Sequence, residues 1–372
     1  MKVSWRIGRI FGIDIHIDAS WLVIFGLFTW IMASYYFPSG YPQWPKWQYW
    51  AVGALTAILF FASVLGHELA HSLVAIKQGE KVRRITLFIL GGVSQISEEP
   101  KQASKEFFMA LVGPLASFAI AIGCYFLVLA FRPINEPLAA MARYLSFINV
   151  LLGGFNLLPG FPMDGGRVLR AIVWKFTGNL KKATRIASSV GQGFAILFIV
   201  LGFLMMFRGL FVNGIWIMMI GWFLHSAAGQ GYHQVIMREM LAHVRAEDLM
   251  ERDVQSVSGN LPIQKLVDEF IFRHRDRAFI VADRGNIKGI ICLEDVKRIP
   301  KDQWPSTMVS EAMTPQKDLV TASPEDDGNK VLAQLTTKSV HQVPVVKDGK
   351  IEGVVCRTDI LHFLQLRSEL GV

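Results

Sequence analysis

The 372 residues are 52% hydrophobic and 12% aromatic but only 18% charged, against about 25% charged in an ordinary soluble domain, and the mean hydropathy is +0.36. That balance excludes a disordered, fibrous or wholly water-exposed chain. The formal net charge of +8 leaves nucleic acid, a membrane surface or an acidic partner open until the charge is placed along the chain.

Apolar runs with few or no charges cover 19–37, 51–76, 107–131, 145–163, 186–207 and 210–224. Most are long enough to cross a hydrocarbon core of about 30 Å. Six membrane segments are predicted, the fourth interrupted and the sixth short. The first run follows Asp14, His16 and Asp18 and has no small-residue cleavage site after it, so it reads as a retained span and not a signal peptide. Tyr41, Trp44, Trp47, Tyr49 and Trp50 follow it and read as an interfacial aromatic belt.

The second run contains Gly66-His67-Glu68-Leu69-Ala70-His71. On a helix, His67 and His71 lie one turn apart on one face, so both imidazoles can reach a single tetrahedral Zn2+. Glu68 projects beside them, where it can take a proton from the attacking water. Three polar residues in an apolar span are costly without partners, which favours function over a purely structural helix–helix contact. With Lys77 at the boundary, His71 lies about 9 Å and His67 about 15 Å into the membrane. Trp50 lies on the opposite side, so the site is intramembrane but nearer the cytoplasm.

Two histidines leave a catalytic zinc short of a protein ligand. The fourth run ends in Phe155-Asn156-Leu157-Leu158-Pro159-Gly160-Phe161-Pro162-Met163-Asp164-Gly165-Gly166-Arg167. Its prolines and glycines break the helix, and broken backbone at membrane depth is tolerated only where protein or a water-filled cavity satisfies it. Asp164 can turn towards a metal from such a segment; the alternative is a plain cytoplasmic turn with an Asp cap.

Gly229 and Gly231 lead out of the sixth run into an ordinary mixed sequence from Ala246. There Glu247-Asp248-Leu249-Met250 recurs as Ser310-Glu311-Ala312-Met313, and Gly289-Ile290-Ile291-Cys292-Leu293-Glu294-Asp295 recurs as Gly353-Val354-Val355-Cys356-Arg357-Thr358-Asp359. The pattern reads as two copies of a strand–turn–strand–helix unit that bury faces against each other. It resembles a tandem pair of cystathionine-β-synthase (CBS) domains. That resemblance implies adenine-nucleotide binding (ATP, ADP or AMP) between the repeats, with Asp295 and Asp359 on the ribose, although Cys292 and Cys356 stand where the family usually has a hydroxyl. A thiol is a weak hydrogen-bond partner; the other reading makes both cysteines buried strand residues and both aspartates helix N-caps. The three cysteines, Cys124, Cys292 and Cys356, form no CxxC pair and suggest neither a disulfide framework nor a thiolate zinc site.

The two membrane motifs together resemble the site-2 protease family of intramembrane metalloproteases, in the prokaryotic subgroup that carries a CBS pair. The expected fold is therefore a polytopic α-helical membrane protein of about six transmembrane segments, followed by a soluble α/β tandem CBS-domain pair. The boundaries are a protease core at 1–229, a linker at 230–245 and CBS domains at 246–305 and 306–372. The resemblance implies one Zn2+ per chain held by His67, His71 and Asp164, Glu68 as general base, and Asn156 binding the substrate backbone or the developing oxyanion. It makes Gly91-Gly92-Val93, after the run 85–90, a strand-like membrane-inserted loop that aligns an extended substrate. One departure is Ser117, where relatives often have Asn; it is expected to touch no metal ligand.

The charge then finds its place. Lys and Arg outnumber Asp and Glu by 21 to 10 in residues 1–245 but are outnumbered 17 to 20 in 246–372. With the N-terminus in the cytoplasm, six spans put 17 of those 21 basic residues inside, which predicts a multi-pass cell-membrane protein with both termini cytoplasmic and no nucleic-acid partner. The expected partners are the lipid bilayer, a transmembrane protein substrate such as an anti-sigma factor or a membrane-bound precursor, and a second copy through the CBS domains. The competing function is a transporter or channel regulated by the CBS pair, since intramembrane ionisable residues also mark ion pathways.

Overall fold

The computed structural model describes all residues except 1–3, 90, 97–101, 243, 253, 275–277, 284–285, 338–339, 341, 349 and 371–372. Leu90, the last residue of the run 85–90, lies outside the described residues. The chain forms two units, Met1–His233 and Gln234–Val372.

The first unit is helical. Helices α1 (Ala19–Gly40), α2 (Lys46–Lys77), α3 (Ala103–Phe131), α4 (Glu136–Asn156), α6 (Leu180–Phe207) and α7 (Phe211–Leu241) are each long and apolar enough to cross a membrane. The short α5 (Asp164–Thr177) lies between α4 and α6. The helix starts follow local chemistry. The Asp18 carboxylate accepts from the Ser20 N–H at 3.0 Å to cap α1, and Asn135 and Asn179 cap α4 and α6 in the same way. Gly178 closes α5 in the left-handed conformation, φ +67°.

Two spans differ from the expectation. The fourth begins at Glu136, not near 145, because Glu136 and Arg143 dilute the apolar signal; the Trp44 indole N–H donates to the Glu136 carboxylate at 2.8 Å. It ends at Asn156, so 157–163 is an irregular connection and Asp164 opens a new helix. The sixth is 31 residues long. Its glycines do not break it, and the stretch expected as a linker is helical as far as Leu241.

A four-stranded sheet completes this unit in the order β1 (Ser4–Ile10), β2 (Ile13–Asp18), β3 (Val82–Phe88), β4 (Gly91–Ile96). The β1–β2 hairpin turns at Phe11 and Gly12, both at positive φ, and β2 runs parallel to β3. Ile13, Ile15 and Ile85 are buried from this sheet against Leu65 and Leu69 of α2, about half a turn round the helix from His67 and His71 and flanking Glu68. That packing leaves β4 at the edge of the sheet, beside the motif.

In the second unit, the first repeat contributes β5 (Ser256–Val257), β6 (Ala278–Asp283) and β7 (Asn286–Cys292), then α9 (Leu293–Lys297). The second contributes α10 (Val309–Ala312), β8 (Thr314–Pro315), α11 (Gly328–Thr337), β9 (Gln342–Lys347), β10 (Lys350–Cys356) and α12 (Arg357–Leu370). The repeats are interlocked. Strand β8 of the second repeat pairs with β7 of the first. Reciprocally, Glu251, which follows α8 (Ala246–Leu249) of the first repeat, exchanges two backbone hydrogen bonds of 3.0 Å with Val354 of β10. The hydrophobic cores are shared too: Leu249 and Met250 are buried with Val343, Val355 and Ile360, while Val309 is buried with Phe279, Val281 and Ile291.

Candidate metal centre

Helix α2 carries His67 and His71 one turn apart, both buried. Nε2 of His67 and Nε2 of His71 lie 3.2 Å apart, and Oδ2 of Asp164, 93 residues beyond His71, sits 3.0 Å from the first and 3.1 Å from the second. Among the described residues this is the one group of three His, Cys, Asp or Glu side chains placed to hold a metal ion.

The tautomers follow from the far side of each ring. Nδ1 of His71 lies 2.6 Å from the carbonyl oxygen of Met109. A carbonyl only accepts, so Nδ1 carries the proton and Nε2 presents a lone pair. Nδ1 of His67 lies 2.9 Å from Oγ of Ser117, a hydroxyl that can accept in the same way. With the proton of each ring on Nδ1, two imidazole lone pairs and a carboxylate oxygen converge, a donor set that suits a divalent cation. A tetrahedral zinc with bonds of 2.0–2.1 Å separates its ligand atoms by about 3.3 Å, and edges of 3.0, 3.1 and 3.2 Å fit that ion after a small expansion.

Glycine makes the space. A Cβ on Gly113 of α3 would clash with Nε2 of His71 and come within 2.7 Å of Nε2 of His67, so any side chain here would push the histidine rings aside. Glu68 stands beside the histidines with its Oε2 accepting from the Ser94 hydroxyl of β4 at 2.8 Å. The Ser72 hydroxyl lies 3.1 Å from that of Ser94, and a Cβ on Gly92 would come within 2.6 Å of Glu68 Cγ. The edge strand and the Glu68 side chain are thus in direct contact. Asp164 is placed by close backbone packing: Cβ atoms on Gly165, Gly166 and Gly191 would all meet the backbone of residues 157–161.

The structure thus brings together His67, His71, Asp164 and Glu68. Asn156 ends α4 with Nδ2 donating to its own helix at Leu152 O, 3.0 Å, which leaves one amide N–H uncommitted there. Ser117, expected to touch no metal ligand, is in contact with His67; one helical turn from Gly113, it shares the face of α3 that meets the motif. Met109 and Ser94 had no signal at all, the first because a backbone carbonyl has no residue signature.

In the second unit, Asp295 and Asp359 are not N-caps but third helical residues that reach back to the chain entering α9 and α12. Asp295 Oδ2 accepts from the Cys292 N–H at 3.0 Å and from the Cys292 thiol at 2.8 Å, and Asp359 Oδ2 accepts from the Cys356 N–H at 2.8 Å. Burial, reinforced by the Asp295 carboxylate, pushes the Cys292 thiol up to about 12.

Comparison with known proteins agrees with both units. The profile of peptidase family M50 matches residues 55–135 and 133–200, and the CBS domain profile matches 246–302 and 309–366. Zinc metalloprotease MJ0392 of Methanocaldococcus jannaschii is 32% identical over 100% of this chain and 99% of its own length. A protein of Synechocystis sp. provisionally named a zinc metalloprotease is 34% identical over 98% of this chain and 96% of its own. The solved site-2 protease of Methanocaldococcus jannaschii is 33% identical, covers 62% of this chain and 95% of that one, and superposes with a TM-score of 0.45. Likeness along the whole length, with both profiles in the expected order, makes this chain a member of peptidase family M50: a multi-pass membrane zinc metalloprotease of the site-2 protease type with a C-terminal pair of CBS domains.

Proposed function

We propose that the chain is an intramembrane endopeptidase that cleaves membrane-spanning proteins near the cytoplasmic face, with one Zn2+ held by His67, His71 and Asp164. The observation that carries this reading is the triangle of two imidazole nitrogens and one carboxylate oxygen with edges of 3.0–3.2 Å beside the Glu68 carboxylate. Zinc, when bound, polarises the scissile carbonyl and lowers the pKa of the attacking water towards about 7. Glu68 accepts the proton of that water and returns it to the leaving amine nitrogen. The Ser94 hydroxyl holds the Glu68 carboxylate in place for both transfers. Asn156, whose second amide N–H is uncommitted to its own helix, donates to the oxyanion or to the substrate backbone.

A helical substrate has its carbonyls hydrogen-bonded internally, so it must unwind before attack. Strand β4 at the sheet edge supplies the alternative partner: an extended segment adds to it by β-augmentation, directly alongside Glu68. Substrates are therefore membrane proteins with helix-weakening residues near the cytoplasmic end of a span, an anti-sigma factor or a membrane-bound precursor being the expected kind. The excess of basic residues between alternate spans supports both termini in the cytoplasm.

The CBS pair is read as the regulatory module, with an adenine nucleotide between the repeats modulating cleavage; beyond the cap, Oδ1 of Asp295 lies 3.8 Å from Arg298 Nη1 and Oδ1 of Asp359 accepts from the Thr358 hydroxyl at 3.4 Å. Dimerisation through this pair belongs to the same reading. Calorimetry with ATP, ADP and AMP on the full chain tests it, and no heat with any of them at millimolar concentration removes it.

The test of the centre is metal content. Purified protein is expected to hold one tight zinc per chain, and His67→Ala and Asp164→Asn are each expected to lose it. Stoichiometric zinc retained in both variants would refute the ligand set.

A further inference from the structure

Helix α3 touches the metal centre along one stripe. Glu106, Met109, Gly113 and Ser117 are all buried and succeed one another by three or four residues, one turn each. The last three serve the histidines: the Met109 carbonyl accepts a hydrogen bond from His71 Nδ1, Gly113 clears the space and Ser117 meets His67.

Glu106 has another partner. Its Oε1 accepts from Nε of Arg170 at 2.7 Å and also contacts Nη2 of Arg170, and the two side chains are 1% and 5% exposed. Arg170 belongs to α5, the helix that Asp164 opens. Its guanidinium also stacks over the ring of Phe161 at 5.1 Å, in the connection that delivers Asp164, and Phe161 N–H is tied to Ala187 O of α6 at 3.1 Å. Arg170 thus grips the chain on both sides of Asp164 and is itself held by α3. Taken from sequence alone, Arg170 is one more cytoplasmic positive charge; in the fold it is buried and committed.

A buried ion pair adds little net stability over an apolar pair of the same volume; what it does supply is a fixed geometry. We infer that the Glu106–Arg170 pair is the positioning device for the third metal ligand, which makes α3 the common support of all three: His71 through Met109, His67 through Ser117, and Asp164 through Glu106 and Arg170. The inference rests on the zinc reading proposed above.

The test uses the full chain in detergent, with zinc affinity by chelator competition and the visible d–d spectrum of the Co2+-substituted protein. Glu106→Gln and Arg170→Met are expected to weaken zinc by about 10–100-fold, the range for groups that orient metal ligands, and to shift the Co2+ bands. Arg170→Lys, which keeps the charge but loses the two-nitrogen grip, falls between them and the parent and guards against loss of fold in the harsher variants. Parent-like zinc affinity and Co2+ spectra in Arg170→Lys and in the folded fraction of Glu106→Gln would overturn the inference, while a parent that binds no zinc would instead overturn the reading of the site.

Discussion

Oγ of Ser117 lies 2.9 Å from Nδ1 of His67, on the side of the ring away from Asp164. A group so placed fixes the orientation of the imidazole. Removing it in Ser117→Ala is expected to weaken zinc and slow cleavage by about 10-fold, the lower end of the range for such partners, with unchanged helix content. Ser117→Asn, which offers an amide carbonyl as acceptor, is expected to retain more of both. Chelator competition and a cleavage assay on the two variants check the order.

Gly113 answers to space. Alanine is the better helix former by about 1 kcal/mol, so Gly113→Ala favours α3 locally. Its methyl nevertheless clashes with Nε2 of His71 and crowds that of His67. The expected outcome is a folded protein of unchanged circular dichroism with neither zinc nor activity, read by metal analysis.

Ser94 acts on Glu68 rather than on the metal. Ser94→Ala is expected to lower kcat by roughly 10-fold, the net worth of a hydrogen bond to a charged group being about 1.5 kcal/mol or more, while zinc content and KM stay close to the parent. Gly92→Val goes further: its side chain invades the Glu68 methylenes, so kcat is expected to fall below measurement with zinc still bound.

Cys292 predicts a chemical behaviour. Its thiol, pushed up to about 12 by burial and by the Asp295 carboxylate, stays protonated at and below pH 9, and only the thiolate is nucleophilic. Native protein at pH 8 should therefore leave Cys292 unalkylated by iodoacetamide over a time that modifies it fully in urea. Asp295→Asn, which removes the charge, should raise its rate. Peptide mass spectrometry reads both.

The histidine motif was legible because helical period alone puts positions 67 and 71 on one face with Glu68 beside them. Asp164 was legible only as a carboxylate on broken backbone; its meeting with the histidines is a tertiary event that no local pattern encodes. Ser117 was misjudged for the same reason, since its distance of 50 residues from His67 is closed only by the packing of α3 on α2. Span limits shifted where single charges, Glu136 and Arg143, diluted an apolar run, and where Gly229 and Gly231 sit inside a helix that continues through them. In the C-terminal unit the repeat was visible in its motifs, whereas the exchange of Glu251 and β8 between repeats was not, because spacing records similarity and not which copy pairs with which.

The role proposed for Glu68 is to move the proton in a zinc-dependent peptide cleavage inside the membrane. The direct measurement is cleavage of a single-span substrate by the full chain in lipid vesicles, parent against Glu68→Gln, with zinc quantified in the same samples. One zinc per chain is expected in both, with a rate at least about 100-fold lower in the variant, the contribution typical of a general base; equal rates in two zinc-loaded proteins would refute that role.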